Sequence, residues 1–313
     1  MPRYLAITGG VGGAKLALGL SHVLAPADVA FVVNTGDDFE HLGLHVSPDL
    51  DTLMYTLSGL SNPDTGWGRV NESWHFIETL RELGGEGWFN LGDRDLAVHV
   101  QRTQWLRAGD SLATVTARLF AAVGIAHTAW PMTNHRLATR VLCDSGEYAF
   151  QHYFVRERCA PRVRRIEFAG AASAAPLAEV LDALADPRLE GVVICPSNPF
   201  LSIDPLLAMP ALRTALVACR APVIAISPIV GGEAIKGPTA KIMAELGLPQ
   251  DAGAVAAHYG ELLDGFIVDD CDRALVPRIS HEKLAVIDAQ TVMRTLDDRI
   301  NLAHTALSFL HTL

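Results

Sequence analysis

The chain opens with a strand, a glycine-rich turn, a helix and a second strand, and this order constrains its fold more than any other feature. The apolar stretch Tyr4–Thr8 predicts a buried strand that runs directly into the glycine-rich segment 9–15. Apolar residues then recur at helical spacing between residues 16 and 24, and Val29–Val33 predicts a second strand. Such a βαβ unit favours a parallel sheet, which binds ligands at the loops that follow its strands.

The middle of the chain differs in character from this opening. Residues 61–130 predict helices separated by loops at 62–66 and 84–87, and a hairpin follows with strands at 139–142 and 148–154. Helices and buried strands then alternate again. The predicted later strands lie at residues 192–195, 222–227, 266–268 and 285–287, before a C-terminal helix from about 290 to 312.

We therefore predict an α/β fold with a doubly wound, mainly parallel sheet. Residues 1–60 and 160–313 are expected to form the core that binds nucleotide or phosphate. Residues 61–159 are expected to form a helical and hairpin insertion.

Composition narrows the class of protein. The 313 residues are half hydrophobic, and the formal net charge of −10 argues against a broad nucleic-acid surface. Apolar runs fall far short of the ~20 residues that span a membrane, and the start of the chain does not resemble a signal segment. Five scattered cysteines without a Cys-x-x-Cys pair suit free thiols in a reducing compartment. We expect a cytoplasmic protein with no membrane and no nucleic-acid partner.

The glycine-rich turn is the first candidate binding site. Gly10, Gly12, Gly13 and Lys15 are candidates for phosphate contact, because glycines let the backbone approach a ligand at a helix N-terminus. The dinucleotide fingerprint needs a small residue at position 15, and a P-loop needs Ser or Thr at position 16, where Leu stands. A tight turn without a ligand is the alternative.

Acidic residues supply the second candidate site. Asp37 and Asp38 follow the second strand, and Asp49 and Asp51 begin a predicted helix at residues 49–60. These carboxylates, with Glu40 nearby, could meet at one edge of the sheet and hold Mg²⁺ beside a phosphate. The alternative for Asp49 and Asp51 is that they only cap their helix.

Later loops supply further polar candidates, and those at 197–198 and 231–236 again follow predicted strands. The candidates there, for which solvated turns or a basic surface are the alternatives, are Asp93, Arg94, Asp95, Asn134, Ser197, Asn198, Gly231, Gly232 and Lys236. His99 lies four residues after Asp95, and a lone helical histidine is more often structural. Covalent catalysis is not favoured, because the local sequence typical of a Ser/His/Asp nucleophile is missing.

Together these motifs resemble the 2-phospho-L-lactate transferase family of coenzyme F-420 biosynthesis. The resemblance covers nearly the whole chain and rests on six segments: residues 9–15, 34–38, 47–52, 91–95, 196–199 and 227–232. It implies a Rossmann-like core, usually a homodimer, that requires Mg²⁺. It also implies transfer of a phospholactate, phosphoenolpyruvate or phosphoglycerate group from a guanosine diphosphate-type donor to the ribityl hydroxyl of the deazaflavin Fo, with release of GMP.

The resemblance also assigns roles to single residues. Asp51 and Arg94 fall where the family contacts Fo, although the family often has Lys at the second position. We add Asn134 to the Fo-binding residues and expect the insertion to form part of the acceptor pocket. Asp51, Asp38 and Arg94 are the expected catalytic residues, and Asp51 with Asp37 the expected metal ligands.

Two other functions compete with this one. The gluconeogenesis factors resemble this family in fold and bind nucleotide sugars in a regulatory role, without the Fo-contacting residues found here at 49–52 and 91–95. An NAD(P)-dependent oxidoreductase is suggested by the βαβ opening, but the fingerprint matches poorly.

Overall fold

The structure is a computed structural model that describes residues 1–63, 68–235 and 237–313. Part of the predicted loop at 62–66, and Lys236, therefore lie outside the described residues. The strands in chain order are β1 (Tyr4–Thr8), β2 (Val29–Val33), β3 (Phe39–His41), β4 (Leu44–Val46), β5 (Thr128–Pro131), β6 (Ala138–Cys143), β7 (Gly146–Ala149), β8 (Val163–Ala169), β9 (Gly191–Ile194), β10 (Val223–Ile226), β11 (Ile229–Val230), β12 (Glu233–Ala234), β13 (Gly265–Asp269) and β14 (Ala285–Ala289).

Helices alternate with the core strands. They are α1 (Gly10–Val23), α2 (Pro48–Leu57), α3 (His75–Glu82), α4 (Asp93–Arg107), α5 (Leu112–Ala122), α6 (Ala178–Ala185), α7 (Asp204–Leu207), α8 (Pro210–Val217), α9 (Thr239–Glu245), α10 (Ala252–Tyr259), α11 (Val276–Ile279) and α12 (Leu296–Leu310). Short π-helical turns occupy His152–Arg156 and Pro199–Ile203.

A seven-stranded sheet in the order β14-β13-β10-β9-β1-β2-β5 forms the centre of the molecule, and all its strand pairs are parallel. Its inner strands are buried along their whole length, as expected when both faces of a parallel sheet are covered. The predicted α/β class with a parallel sheet is confirmed.

Alternate residues of one strand enter two different hydrophobic cores. In β1, Leu5 and Ile7 pack into the core on one face, while Tyr4 and Ala6 pack into the core on the other. Helices α1, α2, α5 and α12 cover the second face, and α6, α8, α9 and α10 cover the first. The sheet is therefore doubly wound, as predicted.

The region 61–159 is tied to the core sheet more closely than its sequence indicates. Strand β5 lies inside this range and pairs with β2 at the sheet edge. Its residues Thr-Ala-Trp-Pro show no strand alternation, and a proline suits an edge position. Strand β8, beyond residue 159, pairs with β6 of the predicted hairpin. A separate insertion at 61–159 stays a prediction.

The predicted strand 148–154 is only partly correct. Strand β7 ends at Ala149, and the chain turns into the π-helical segment His152–Arg156. Buried Phe150 and Tyr153 pack into the core, so tertiary packing outweighs the local strand pattern.

The described residues contain no single helix with the length and apolar character of a membrane span. One bent pair, Pro199–Leu207 with Pro210–Val217, meets that length and composition only when both parts are counted together.

Candidate functional site

The candidate site is a cleft of about 350 Å³ at the carboxyl ends of the central strands. From β1 the chain moves outward to β2, and it later returns to β9 on the other side of β1. This change of direction leaves a crevice between the loops that follow β1 and β9, which is where open α/β sheets bind ligands. Both loops line the cleft, through residues 9–12 and 196–198.

A larger depression of about 1380 Å³ lies at the opposite end of the sheet. Its lining includes Pro222, Asp264 and Leu284, which directly precede strands β10, β13 and β14. None of the predicted site residues that the structure describes lines this depression, and several of them line the smaller cleft. We therefore place the site in the smaller cleft.

The glycine turn is held by neighbouring polar side chains. Gly9 donates its backbone amide to Ser197 Oγ at 3.2 Å, and Gly10 donates its amide to Asp49 Oδ1 at 2.8 Å. A helix leaves the amides of its first turn without intrahelical partners. With the Gly10 amide taken, the amides of Val11 and Gly12 are the ones left for a bound phosphate.

Two of the glycines are required by close packing. A Cβ atom at Gly12 would overlap the carbonyl oxygen of Pro196, and one at Gly13 would overlap the side chains of Thr8 and Ser197. These contacts draw the loops after β1 and β9 together, so the glycines shape the cleft whether or not they touch a ligand.

Asp37, Asp38 and Asp49 are brought together as the sequence predicts. Burial raises the pKa of Asp37 well above its ordinary value, and the charges of Asp49 and Asp38 raise it further. Burial also raises the pKa of Asp49, to about 6. Asp49 Oδ2 accepts a hydrogen bond of 2.9 Å from Asn34 Nδ2, so Asp49 joins two loops and does not only cap α2.

The two neighbouring acids differ in their contacts. Asp38 Oδ2 accepts a hydrogen bond from Ser47 Oγ at 2.7 Å and lies 3.1 Å from His45 Nε2, and Asp38 does not line the cleft. Asp37, by contrast, lines the cleft, and its buried Oδ1, like Oδ1 of Asp38, has no hydrogen-bond partner among the described residues. Burying a carboxylate oxygen without a partner is costly. Asp37 therefore fits a hard cation such as Mg²⁺.

Asp51 lines the cleft from the first turn of α2 and is 5% exposed. Both of its oxygens accept hydrogen bonds from the buried guanidinium of Arg102 on α4, through Nη2 to Oδ1 and through Nη1 to Oδ2. A carboxylate has about four lone-pair positions, so Asp51 can still bind a cation on its cleft side.

Asp51, Asp95 and His99 have ligand atoms within 4.8 Å of one another, a spacing that suits a metal ion. Arg102 Nη1 lies 3.1 Å from His99 Nδ1. Because a guanidinium only donates, Nδ1 must accept, and a neutral His99 then carries its proton on Nε2. A protonated Nε2 does not bind a metal, so these three residues do not form a metal site in that tautomer.

The other predicted phosphate contacts lie at the same edge of the sheet. Lys15 lines the cleft, and its Nζ donates to the Met293 carbonyl at 3.0 Å. Asn198 Oδ1 accepts the amides of Phe200 and Leu201 and so begins the turn after β9. Gly231 and Gly232 form the tight turn between β11 and β12 with positive φ, and neither lines the cleft.

Arg94 and Asn134 lie outside the cleft lining. Arg94 is exposed at the start of α4, and Asn134 accepts the backbone amide of Ala113 with its Oδ1 at 2.9 Å. Asp93 accepts the amides of His75 and Phe76 and so supports the start of α3. Their roles in binding Fo or in catalysis stay predictions.

Three aromatic side chains, which we call the aromatic wall, also line the cleft. Phe89, Phe150 and Phe154 contribute to it, and Phe150 and Phe154 stack with ring centroids 5.4 Å apart. Phe154 is 40% exposed, so part of its ring is available to a ligand. A flat apolar surface of this kind suits an aromatic ring system.

Sequence reasoning named Asp95 and His99 but missed Arg102 on α4 and Tyr55 on α2. Asp95, His99 and Arg102 are spaced at four and three residues, so they share one face of the helix. Asp51 and Tyr55 are likewise four residues apart on α2. The spacing was a usable signal, but it does not by itself distinguish a buried face from a solvated one.

Comparisons with known proteins identify the fold and the family of this chain. A crystal structure of a Bacillus halodurans protein superposes with a TM-score of 0.62 at 16% identity, covering 98% of this chain and 99% of that one, which shows the fold alone. A Streptomyces avermitilis protein named phosphoenolpyruvate transferase is 40% identical over 312 residues, covering 98% of this chain and 97% of its own.

A Methanospirillum hungatei protein named 2-phospho-L-lactate transferase is 37% identical over 271 residues, covering 87% of this chain and 90% of its own. The family described as 2-phospho-L-lactate transferase matches residues 5–302. That match spans the glycine turn, the acidic residues of the cleft and the loop after β9. The chain therefore belongs to the 2-phospho-L-lactate transferase family.

Proposed function

We propose that this protein transfers a phosphoenolpyruvate group from a guanosine diphosphate-type donor to the ribityl hydroxyl of Fo and releases GMP. Its family makes it a transferase of a phosphate-linked organic acid in coenzyme F-420 biosynthesis. Phosphoenolpyruvate is preferred over phospholactate and phosphoglycerate because the Streptomyces avermitilis relative, 40% identical over nearly its whole length, carries that name.

One observation carries the proposal. The cleft at the carboxyl ends of β1 and β9 places the glycine turn and the carboxylates of Asp37 and Asp51 around one space. A diphosphate bound at the first turn of α1 would meet the amides of Val11 and Gly12. Lys15, in the same cleft, supplies positive charge.

The reaction needs positioning and charge neutralisation more than a covalent nucleophile. The ribityl oxygen forms a bond to the phosphorus next to the organic acid, and the bond from that phosphorus to the GMP oxygen breaks. The hydroxyl proton passes to a carboxylate, for which Asp51 is our candidate because it lines the cleft from the first turn of α2. Asp37 and Asp51 would hold Mg²⁺, which supplies positive charge to the diphosphate when bound.

The acceptor is expected on the opposite side of the cleft. The aromatic wall of Phe89, Phe150 and Phe154 matches the flat deazaflavin ring, and its residues come from the region 61–159. This supports the expectation that this region contributes to the acceptor pocket. The expected homodimer stays a prediction.

The test gives the purified protein Fo, Mg²⁺ and each of the three guanosine diphosphate-type donors in turn, with product mass measured. We expect turnover with the phosphoenolpyruvate donor to exceed that with the other two. Asp51→Asn should lower kcat by about 100-fold or more. Asp182→Asn, on the exposed surface of α6 and outside the cleft lining, is the matched control.

Each other outcome has a meaning. Preferred use of another donor would correct the transferred group. Nucleotide binding without any product would contradict the transferase and favour a regulator of the gluconeogenesis factor type. Normal turnover by Asp51→Asn would remove Asp51 from its role.

A further inference from the structure

A polar ladder of five residues joins α2 to α4 along the cleft. Its contacts run from Asp51 to Arg102, from Arg102 to His99, from His99 to Asp95, and from Asp95 to Tyr55. Asp51 and Tyr55 belong to α2, and the other three belong to α4. Asp51, Tyr55, Asp95 and His99 line the cleft, whereas Arg102 lies behind them.

Arg102 is the centre of this ladder. Its side chain is 2% exposed, and its guanidinium reaches both oxygens of Asp51, His99 Nδ1 at 3.1 Å and the His45 carbonyl at 3.4 Å. A planar guanidinium bound to both oxygens of a carboxylate fixes the plane and direction of that carboxylate. Asp51 therefore cannot rotate without breaking contacts on α4.

The contact with His99 adds a second constraint. Since Nδ1 accepts from Arg102, a neutral His99 carries its proton on Nε2, which lies 3.4 Å from Asp95 Oδ2 and has no hydrogen-bond partner among the described residues. Asp95 in turn accepts the hydroxyl of Tyr55, one helical turn after Asp51. The ladder thus returns to α2 and closes on the helix that carries Asp51.

We propose that Arg102 is a positioning residue of the transfer reaction, which holds the carboxylate of Asp51 toward the cleft without touching substrate. The proposal rests on the proposed function, because it needs Asp51 at the reacting atoms. Arg102 fixes the orientation of the Asp51 carboxylate and also supplies the positive charge that pairs with it. A lysine at this position keeps the charge but loses the two-point contact.

The test separates positioning from simple structural support. In Arg102→Met we expect kcat to fall by about 100-fold, as displacement of a reacting group near 1 Å can cost, with KM for donor and Fo changed less than about 3-fold. Arg102→Lys should recover part of that loss. Arg107→Met is the matched control on the same helix, since Arg107 is exposed and donates only to the Gly43 carbonyl at 2.7 Å in the described part of the chain.

A double-mutant cycle with Asp51 gives the sharpest readout. Once Asp51→Asn is in place, adding Arg102→Met should lower kcat by less than about 3-fold, because residues that act as a unit are not additive. Losses that multiply, or an Arg102→Met enzyme as active as wild type, would overturn the proposal. If Arg102→Met does not fold, Arg102→Lys decides, and a wild-type kcat in that variant overturns it.

The two proposals can fail separately. A wild-type protein that uses none of the three donors contradicts the proposed function and the role of Arg102 with it. A wild-type protein that turns over, beside an equally active Arg102→Met, contradicts the role of Arg102 alone.

Discussion

The backbone amide of Gly10 donates a hydrogen bond of 2.8 Å to Asp49 Oδ1, and this contact joins the glycine turn to the acidic helix. The Asp49 carboxylate thus accepts a hydrogen bond from one of the helix N-terminal amides that could otherwise bind a phosphate. The protonation state of Asp49 is therefore part of how the cleft is built.

Asp49→Asn should change how stability depends on pH. Burial raises the pKa of Asp49 from 3.8 to about 6, so the folded state binds more protons than the unfolded state between these values. The stability from this group is present at low pH and is lost as pH rises through about 6. In metal-free protein, the free energy of unfolding of the variant relative to wild type should rise by about 2 kcal/mol between pH 4.5 and 7.

Asp49→Asn also removes one hydrogen-bond acceptor, and this loss lowers the free energy of unfolding by about 1 kcal/mol at every pH. Only the pH dependence of the difference between the two proteins therefore reports the raised pKa. Denaturant unfolding of both proteins across this range measures it. A difference between them that stays constant with pH would contradict the raised pKa.

Asp37→Asn and Asp38→Asn should have different effects on Mg²⁺ activation. Asp37 lines the cleft, whereas Asp38 does not, and Asp38 Oδ2 is engaged by Ser47 and His45. Removing the first carboxylate should raise the Mg²⁺ concentration for half-maximal activity at least about tenfold. The Asp38→Asn protein should show a smaller shift, and equal shifts would remove the distinction between the two acids.

Gly13→Ala should destabilise the fold through steric overlap. The added Cβ would meet the side chains of Thr8 and Ser197, and overpacking of this kind costs about 1–3 kcal/mol. Gly59→Ala is the matched control, because its φ is +70° and nothing lies within 4 Å of the added Cβ. The control should lose about 1 kcal/mol from backbone strain and keep its activity. Denaturant midpoints and turnover measure both, and an unaffected Gly13→Ala would show that the loops can separate.

Phe154→Ala should weaken binding of the acceptor. An aromatic stacking contact contributes about 0.5–1.5 kcal/mol, so we expect KM for Fo to rise by up to about tenfold while KM for the donor is unchanged. Phe76→Ala is the control, since Phe76 is similarly exposed on α3 and does not line the cleft. A change in donor KM would place the donor against the aromatic wall instead.

The sequence predicted the parallel core well because buried strands such as β1 and β9 are short apolar runs between turn residues. It also predicted that Asp37 and Asp49 would meet, since parallel strands end at one edge of the sheet. Strand β5 was missed because four residues ending in proline show no periodicity, and pairing with β2 decides its structure.

The Asp51 environment was only half predicted. Asp51 was a candidate from its motif, but its partner Arg102 lies 51 residues away on a helix with a weak apolar face. No local pattern marks an arginine as buried, because its burial depends on a carboxylate from another helix. Similarly, the motif that identified Arg94 as a candidate did not predict that its side chain is exposed.

The contact between Gly12 and the carbonyl of Pro196 has a consequence for engineering. Neither partner contributes a side chain to it, so the spacing between these two loops is determined by the main chain. A side chain introduced at Gly12 would obstruct that side of the cleft, and no series of side chains there could adjust its width in small steps. A change of donor preference should therefore be sought among residues whose side chains face the transferred acid, with the glycine turn left as it is.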